Sequence, residues 1–136
     1  MADIVLDTNV LVSAFLSSHI SPPSLCLDMV FSGSHRLVVS DRIIAEYREV
    51  LKRPKFSIDP KILKSFFARL PDHSTYVSPE KYFTLCQDPD DNIFLDAAFA
   101  GKAAYLVTGN LRHFPQVTSF THIVSAKKFI DFQAMT

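Results

Sequence analysis

Residues 3–16 read DIVLDTNVLVSAFL. A short apolar strand, Ile4–Leu6, runs directly into polar residues and then into a helical stretch, Val10–Leu16. Strand-like and helix-like stretches go on alternating along the chain, and this pattern predicts a parallel sheet covered by helices on both faces. We therefore expect a three-layer α/β/α fold with a mostly parallel central sheet of about four to five strands. The length of 136 residues suits a single domain that spans residues 1–136.

The remaining elements are predicted from apolar runs, capping residues and prolines. The predicted strands are Leu37–Val39, Thr75–Val77 at an edge of the sheet, Tyr105–Val107 and His122–Val124. The predicted helices are Ser24–Phe31, a helix that starts after Ser40 and runs to about Arg53, Pro60–Leu70, Asp90–Lys102 and Lys127–Phe132.

Polar residues follow two of these strands. The strand Ile4–Leu6 ends in DTN at residues 7–9, and Tyr105–Val107 ends in TGN at residues 108–110. In parallel sheets, ligands bind outside the carboxyl ends of the strands. We therefore expect the chemistry of this protein at that edge.

The composition is that of an ordinary globular protein, with 48% hydrophobic and 21% charged residues. Cys26 and Cys86 lie far apart without a CxxC spacing, so we expect buried, reduced thiols. The opening residues MADIVLD lack the basic region of a signal peptide, and no apolar run is long enough for a membrane span. We expect a cytoplasmic protein that does not bind a membrane.

The net charge is zero, but the charges are unevenly distributed. Residues 42–69 contain eight basic and three acidic residues, whereas residues 72–96 contain one basic and six acidic residues. A basic surface beside an acidic cluster is what a metal-dependent enzyme acting on a polyanion needs. Solvated helix faces that segregate by sign would give the same pattern, so charge alone leaves both interpretations open.

Two carboxylates stand out by their position. Asp7 directly follows a buried apolar strand, so its charge needs a cation, a metal or the N–H groups of the next helix as a partner. Glu46 lies on the border of an apolar helical stripe, about 100° from its centre, and can therefore reach inward. The stripe consists of Ile43, Ile44, Tyr47, Val50 and Leu51. A capping role for Asp7 and an ion pair of Glu46 with Arg42 or Arg53 remain alternatives.

A third acidic group opens the apolar helix near residue 90. The sequence DPDD at residues 88–91 has more aspartates than capping needs, and they repel one another unless a cation is present. Asp96 lies within the apolar part of the same helix, where an unpaired charge is costly. We rank Asp91 first as a metal ligand and Asp96 second, and we expect Asp88 and Asp90 to support or cap the site.

Oxygen-only clusters of this kind suit Mg²⁺ or Mn²⁺, which can activate water for attack on a phosphodiester. The five histidines show no HxH or HExxH spacing, so a histidine-based zinc site is not expected. The chain has no GxSxG, GxxxxGK[ST] or GxGxxG motif.

At these residues the chain resembles the PIN-domain family, and within it the toxin components of prokaryotic toxin–antitoxin pairs (VapC-like). Three segments carry the resemblance, in the family's order: IVLDTNVLVSAFLS from Ile4, IIAEYREVLKRPKF from Ile43, and DPDDNIFLDAAFAGKAAYLVTGNLRHF from Asp88. The resemblance covers most of the chain.

The resemblance implies a metal-dependent endoribonuclease that uses Mg²⁺ or Mn²⁺. It implies catalytic, metal-binding roles for Asp7, Glu46 and Asp91. It implies supporting roles for Thr8, Asn9, Asp88, Thr108 and Asn110. Basic residues would bind RNA, namely Arg48, Lys52, Arg53, Lys55 and Arg112. The implied partners are an RNA substrate, a second copy in a homodimer, and a cognate antitoxin protein.

Two other functions stay open at this stage. Members of the resembled family often carry a fourth acid after the last motif's Thr, whereas this chain has Asn110 and His113 there. A degenerate PIN-like domain that binds RNA or protein without catalysis is consistent with that departure. A haloacid-dehalogenase-type phosphotransferase also ends its first strand in Asp, but such enzymes need a second Asp where this chain has Asn9.

Overall fold

The computed structural model describes residues 2–115 and 118–135, and these form one all-parallel sheet. Its strands are β1 (Ala2–Leu6), β2 (His35–Val39), β3 (Ser74–Tyr76), β4 (Tyr105–Val107) and β5 (His122–Val124). The order is β3-β2-β1-β4-β5. The chain thus builds outward from β1 to one edge, then returns to place β4 on the other side of β1. That reversal between β1 and β4 is the point where open parallel sheets leave a crevice for ligands.

Helices cover the sheet. They are α1 (Thr8–Leu16), α2 (Pro22–Phe31), α3 (Asp41–Leu51), α4 (Pro60–Arg69), α5 (Asn92–Ala100) and α6 (Ala126–Ala134). Side chains of successive strand residues point to opposite faces, and Ile4, Val5 and Leu6 are all completely buried. Both faces of β1 are therefore covered, which confirms the predicted α/β fold with a parallel central sheet.

The strands agree closely with the prediction, but several helix limits differ. Helix α1 begins at Thr8 rather than Val10, and α3 ends at Leu51, before the predicted end near Arg53. The predicted helix Asp90–Lys102 was too long at both ends, since Pro89–Asp91 is a 3₁₀ turn and α5 ends at Ala100.

Gly101, which follows α5, approaches the sheet closely. A Cβ at Gly101 would lie 2.7 Å from Cγ1 of Val38, so any larger residue there would force Val38 to shift. Both cysteines are free and buried, in agreement with the prediction. The described helices lack the length and apolar character needed to cross a membrane.

Candidate active site

Asp7 is fixed where β1 and β4 end together. Its backbone N–H donates to Val107 O at 2.9 Å, which continues the pairing of the two strands by one residue. The Thr108 hydroxyl donates to Asp7 Oδ2 at 2.7 Å, and the Asn9 amide donates to the same oxygen at 3.2 Å. Asp7 is only 3% exposed. Burial raises the pKa of Asp7, the Thr108 hydrogen bond acts against this, and the charge of Glu46 raises it further.

The loop after β4 is tied to the loop after β1. Gly109 N–H donates to Asn9 Oδ1 at 3.0 Å. The Asn110 N–H donates to Thr108 Oγ1 at 3.0 Å. Asn9 and Thr108 therefore hold the Asp7 side chain in place.

Glu46 reaches this edge from α3. The Thr8 hydroxyl, on the first residue of α1, donates to Glu46 Oε2. The border position predicted from the helical pattern is confirmed by its partial burial, between a buried Tyr47 and exposed neighbours. Thr8 thus joins the start of α1 to the acidic flank of α3.

Tyr47 is a site residue that the sequence did not reveal. Its hydroxyl donates to Leu6 O at 2.6 Å, the carbonyl just before Asp7, and the side chain is completely buried. Burial raises its pKa well above the ordinary value, and the charges of Asp7 and Glu46 add to the effect. Sequence periodicity placed Tyr47 in the apolar stripe, and only the tyrosine hydroxyl itself, which needs a partner when buried, could have signalled more.

Asp91 is the third carboxylate of the group. It ends the 3₁₀ turn Pro89–Asp91, and its Oδ2 is buried without a hydrogen-bond partner. Burial raises the pKa of Asp91 to about 6, followed by the charges of Asp7 and Asp88, with a smaller effect of Glu46. Carboxyl groups from three separate elements therefore act on one another electrostatically.

The other two acids of the DPDD stretch are less involved. Asp88 Oδ1 accepts the Asp90 N–H at 3.0 Å, which is a capping contact of the turn. Asp90 is exposed. This is the local role that the sequence suggested for the pair.

Asp96, which the sequence ranked second as a metal ligand, lies in a different environment from Asp7 and Asp91. It is 4% exposed, and its Oδ1 accepts the Phe83 N–H at 2.7 Å. Burial raises its pKa, while the Phe83 hydrogen bond and the charge of Arg42 lower it. Neither Asp7 nor Asp91 contributes to that shift. The structure thus gives Asp96 a loop-anchoring contact and does not bring it together with the other acids.

His113 approaches the acidic group from the far side. Its Nδ1 lies 3.5 Å from Asp91 Oδ2, and its charge lowers the pKa of Asp91. Its carbonyl accepts the Gln87 N–H at 2.8 Å. The sequence showed His113 only as a departure from the resembled pattern.

Two comparisons with known proteins bear on this arrangement. Residues 3–112 match the model of a family described as PIN domain. The chain is also 31% identical, over 111 residues, to an uncharacterized protein of Methanocaldococcus jannaschii, in an alignment that covers 79% of this chain and 70% of that protein. The chain belongs to the PIN-domain family. PIN domains are in general nucleases that act on nucleic acids and typically use divalent metals.

A divalent metal fits the acidic group of this PIN domain. Within the described residues, no three His, Cys, Asp or Glu side chains form a ready-made metal cage. Mg²⁺ does not need such a cage, since it keeps several waters and also binds substrate phosphates. The buried Oδ2 of Asp91 has no hydrogen-bond partner, and burial together with the charges of Asp7 and Asp88 raises the pKa of Asp91; a bound cation would offset both effects.

The basic residues predicted to bind RNA do not form one surface. At about 100° per residue, Glu46 and Arg48 lie on opposite flanks of the buried side of α3. Arg48 and Lys52 line a cavity of about 590 Å³ between α3 and α4, where the Arg48 guanidinium lies 4.4 Å from the Phe67 ring centre. Arg53 pairs with Glu49 at 2.9 Å.

The other two basic residues of that set lie elsewhere. The Lys55 ammonium lies 5.1 Å from the Phe56 ring centre, in the 3₁₀ turn after α3. Arg112 is exposed in the 3₁₀ turn that also carries His113. Arg112 is thus next in the chain to His113, whose Nδ1 lies 3.5 Å from Asp91.

Proposed function

We propose that this PIN domain is a metal-dependent endoribonuclease that hydrolyses RNA phosphodiester bonds, and that it acts as the toxin of a toxin–antitoxin pair. One observation carries the enzymatic part: Asp7, Glu46 and Asp91 come from three different elements, and their charges act on one another at the crevice between β1 and β4. Bringing these three charges together lowers the stability of the folded protein, because carboxylates repel one another unless a cation is bound.

The roles of the side chains follow from their contacts. Asp7, Glu46 and Asp91 would hold Mg²⁺ or Mn²⁺ together with water molecules. The bound cation supplies the activation of water and offsets charge on the attacked phosphate. Thr108 and Asn9 fix Oδ2 of Asp7, and Thr8 fixes Oε2 of Glu46, so that both carboxylates are held before substrate arrives.

RNA would reach the site over the exposed 3₁₀ turn that carries Arg112. An exposed guanidinium next to the acidic group can hold a backbone phosphate and offset the negative field that would otherwise repel RNA. Arg48, Lys52 and Lys55 would contact a more distant part of the strand, since Arg48 and Lys52 face away from Glu46. Arg53 is expected to contribute least, because Glu49 already binds it.

The experiment is cleavage of a mixed structured RNA by the wild type and by Asp7→Asn, with Mn²⁺, with Mg²⁺ or with EDTA. We expect cleavage by the wild type only, and only with metal. Asp7→Asn should lose on the order of a hundredfold or more in rate, since it removes a central ligand while keeping the shape of the side chain. Asp28→Asn, an exposed aspartate on α2, is the matched control and should cleave at the wild-type rate.

Two results would count against the enzyme. Equal cleavage by wild type and Asp7→Asn would mean that the activity arises elsewhere or from a contaminant. Metal binding without any cleavage would favour a PIN domain that binds RNA or protein without catalysis, the function that Asn110 and His113 kept open.

The toxin role needs its own test, because its support is the sequence resemblance. Induced expression of the wild type in a bacterium should arrest growth, and induced Asp7→Asn should not. Light scattering should give twice the 15.3 kDa mass of one chain if the expected homodimer forms. If the cells grow normally while the wild-type protein is soluble and cleaves RNA, the toxin role is contradicted and the nuclease activity is not.

A further inference from the structure

The pair of Asp91 and His113 has a geometry that a simple ion pair does not explain. A charge-assisted hydrogen bond between nitrogen and a carboxylate oxygen is about 2.7–2.9 Å long, whereas Nδ1 and Oδ2 here lie 3.5 Å apart. Oδ2 is buried and has no hydrogen-bond partner. His113 Nδ1 and Asp91 Oδ2 therefore lie close together without forming a hydrogen bond.

That separation suits two ligands of one ion. Two donors at adjacent positions, each roughly 2.1 Å from a common metal, stand about 3.0–3.4 Å apart. The observed 3.5 Å is close to this range. The side chain of His113 is 33% exposed and that of Asp91 16% exposed, so the pair lies at the border of the solvent, although Asp91 Oδ2 itself is buried.

The backbone holds His113 in this place from two directions. Its N–H donates to Asn110 O at 2.9 Å, within the turn that follows β4. Its carbonyl accepts the Gln87 N–H at 2.8 Å, immediately before the DPDD stretch. The backbone of His113 is therefore tied both to the loop that supports Asp7 and to the segment that carries Asp91.

We infer that His113 Nδ1 is a metal ligand alongside Asp91 Oδ2, and that this PIN domain thereby prefers Mn²⁺ over Mg²⁺. Neutral imidazole nitrogen suits transition metals, whereas Mg²⁺ favours oxygen ligands. The inference deepens the proposed function, since it assumes a divalent cation at the same acidic group.

The test measures binding of Mn²⁺ and of Mg²⁺ by calorimetry, without RNA. The proteins are the wild type, His113→Asn, His113→Asp and the control His122→Asn, which changes an exposed histidine on β5. We expect His113→Asn to bind Mn²⁺ on the order of tenfold more weakly and Mg²⁺ within about threefold of the wild type. His113→Asp should bind Mg²⁺ more tightly than the wild type, and His122→Asn should be unchanged.

The direction of the change in Mn²⁺ affinity distinguishes a metal-ligand role of His113 from a simple ion pair with Asp91. A histidine that only neutralised Asp91 would compete with the metal, so its removal would leave Mn²⁺ affinity unchanged or increase it. Pulsed electron paramagnetic resonance of the Mn²⁺ complex gives a direct second readout. It should show coupling to an imidazole nitrogen in the wild type and in His122→Asn, and none in His113→Asn.

Three results would overturn the inference: no Mn²⁺ binding by the wild type at millimolar concentration, no nitrogen coupling, or undiminished Mn²⁺ affinity in folded His113→Asn. Parallel RNA cleavage keeps this outcome distinct from that of the proposed function. Nitrogen coupling without cleavage would support the metal ligand and oppose the nuclease. Metal-dependent cleavage without nitrogen coupling would do the reverse.

Discussion

Asp91 and Asp96 lie five residues apart at the start and in the middle of one apolar helical segment, and burial raises the pKa of both. Their surroundings differ. Asp96 accepts the Phe83 N–H and has the Arg42 charge nearby, whereas Asp91 has a buried oxygen without a hydrogen-bond partner and three other acids acting on it. Asp96 makes a hydrogen bond that stabilises the fold, whereas His113 at 3.5 Å offsets the charge of Asp91 only in part.

The different surroundings of Asp91 and Asp96 distinguish acids that stabilise this fold from acids that serve its function. A buried carboxylate that receives a backbone N–H is satisfied, so removing it should cost stability. A buried carboxylate among other acids is unfavourable in the metal-free protein, so removing it should cost activity and spare stability.

The largest expected effect is on RNA cleavage by the paired variants Asp91→Asn and Asp96→Asn. Asp91→Asn should lower the rate about 100-fold, or roughly 2.7 kcal/mol in the barrier, because it removes a proposed metal ligand. Asp96→Asn keeps an oxygen that can accept from Phe83 and should stay within about tenfold of the wild type. Initial rates at saturating Mn²⁺ measure both. Equal losses in the two variants would show that the distinction is wrong.

The second effect is on unfolding by urea in EDTA, measured with Asp91→Ala and Asp96→Ala. Asp96→Ala should lose about 2 kcal/mol, because the Phe83 N–H loses its acceptor and the segment before α5 loses an anchor. Asp91→Ala should lose less than about 0.5 kcal/mol or become more stable, because repulsion by Asp7 and Asp88 disappears. A greater loss in Asp91→Ala would reverse the assignment of roles.

The same contrast explains which features of the fold and of the site could be predicted from the sequence. Tyr105–Val107 and His122–Val124 were predicted with their exact bounds, since short runs with β-branched residues between turn residues favour strands. Asp7 followed from its place after such a run. These predictions rest on local sequence patterns, and in a parallel sheet the place of a residue in its strand determines where it lies.

Local sequence patterns could not decide whether Asp96 lies beside the other acids as a metal ligand. Its partner, Phe83, lies thirteen residues earlier in a segment without regular structure, so no spacing reveals the contact. The sequence DPDD is compatible with either an α-helical or a 3₁₀ start, so the capping role of Asp88 could be predicted but the 3₁₀ geometry of Pro89–Asp91 could not. The approach of His113 to Asp91 likewise depends on how the loop after β4 returns to Gln87.

The smallest expected effect is a pH dependence of stability that belongs to Asp91. Its pKa rises from an ordinary value near 3.8 to about 6 in the folded protein, first through burial and then through Asp7 and Asp88. A folded state with the higher pKa binds more protons than the unfolded chain between pH 4 and 6, so the unfolding free energy falls as the pH rises through that window. Below it the Asp91 contribution is absent, and above it the full cost is present.

We expect the wild type to lose about 1–2 kcal/mol relative to Asp91→Asn between pH 4 and pH 7, since part of the effect is reduced by contact with solvent. Urea unfolding in EDTA at the two pH values gives the difference, and Asp96→Asn supplies a buried-acid comparison. Saturating Mn²⁺ should abolish the difference at pH 7, because a bound cation offsets the charge that causes it. A difference that persists with Mn²⁺ would mean that the raised pKa of Asp91 reflects burial in a place where no metal binds.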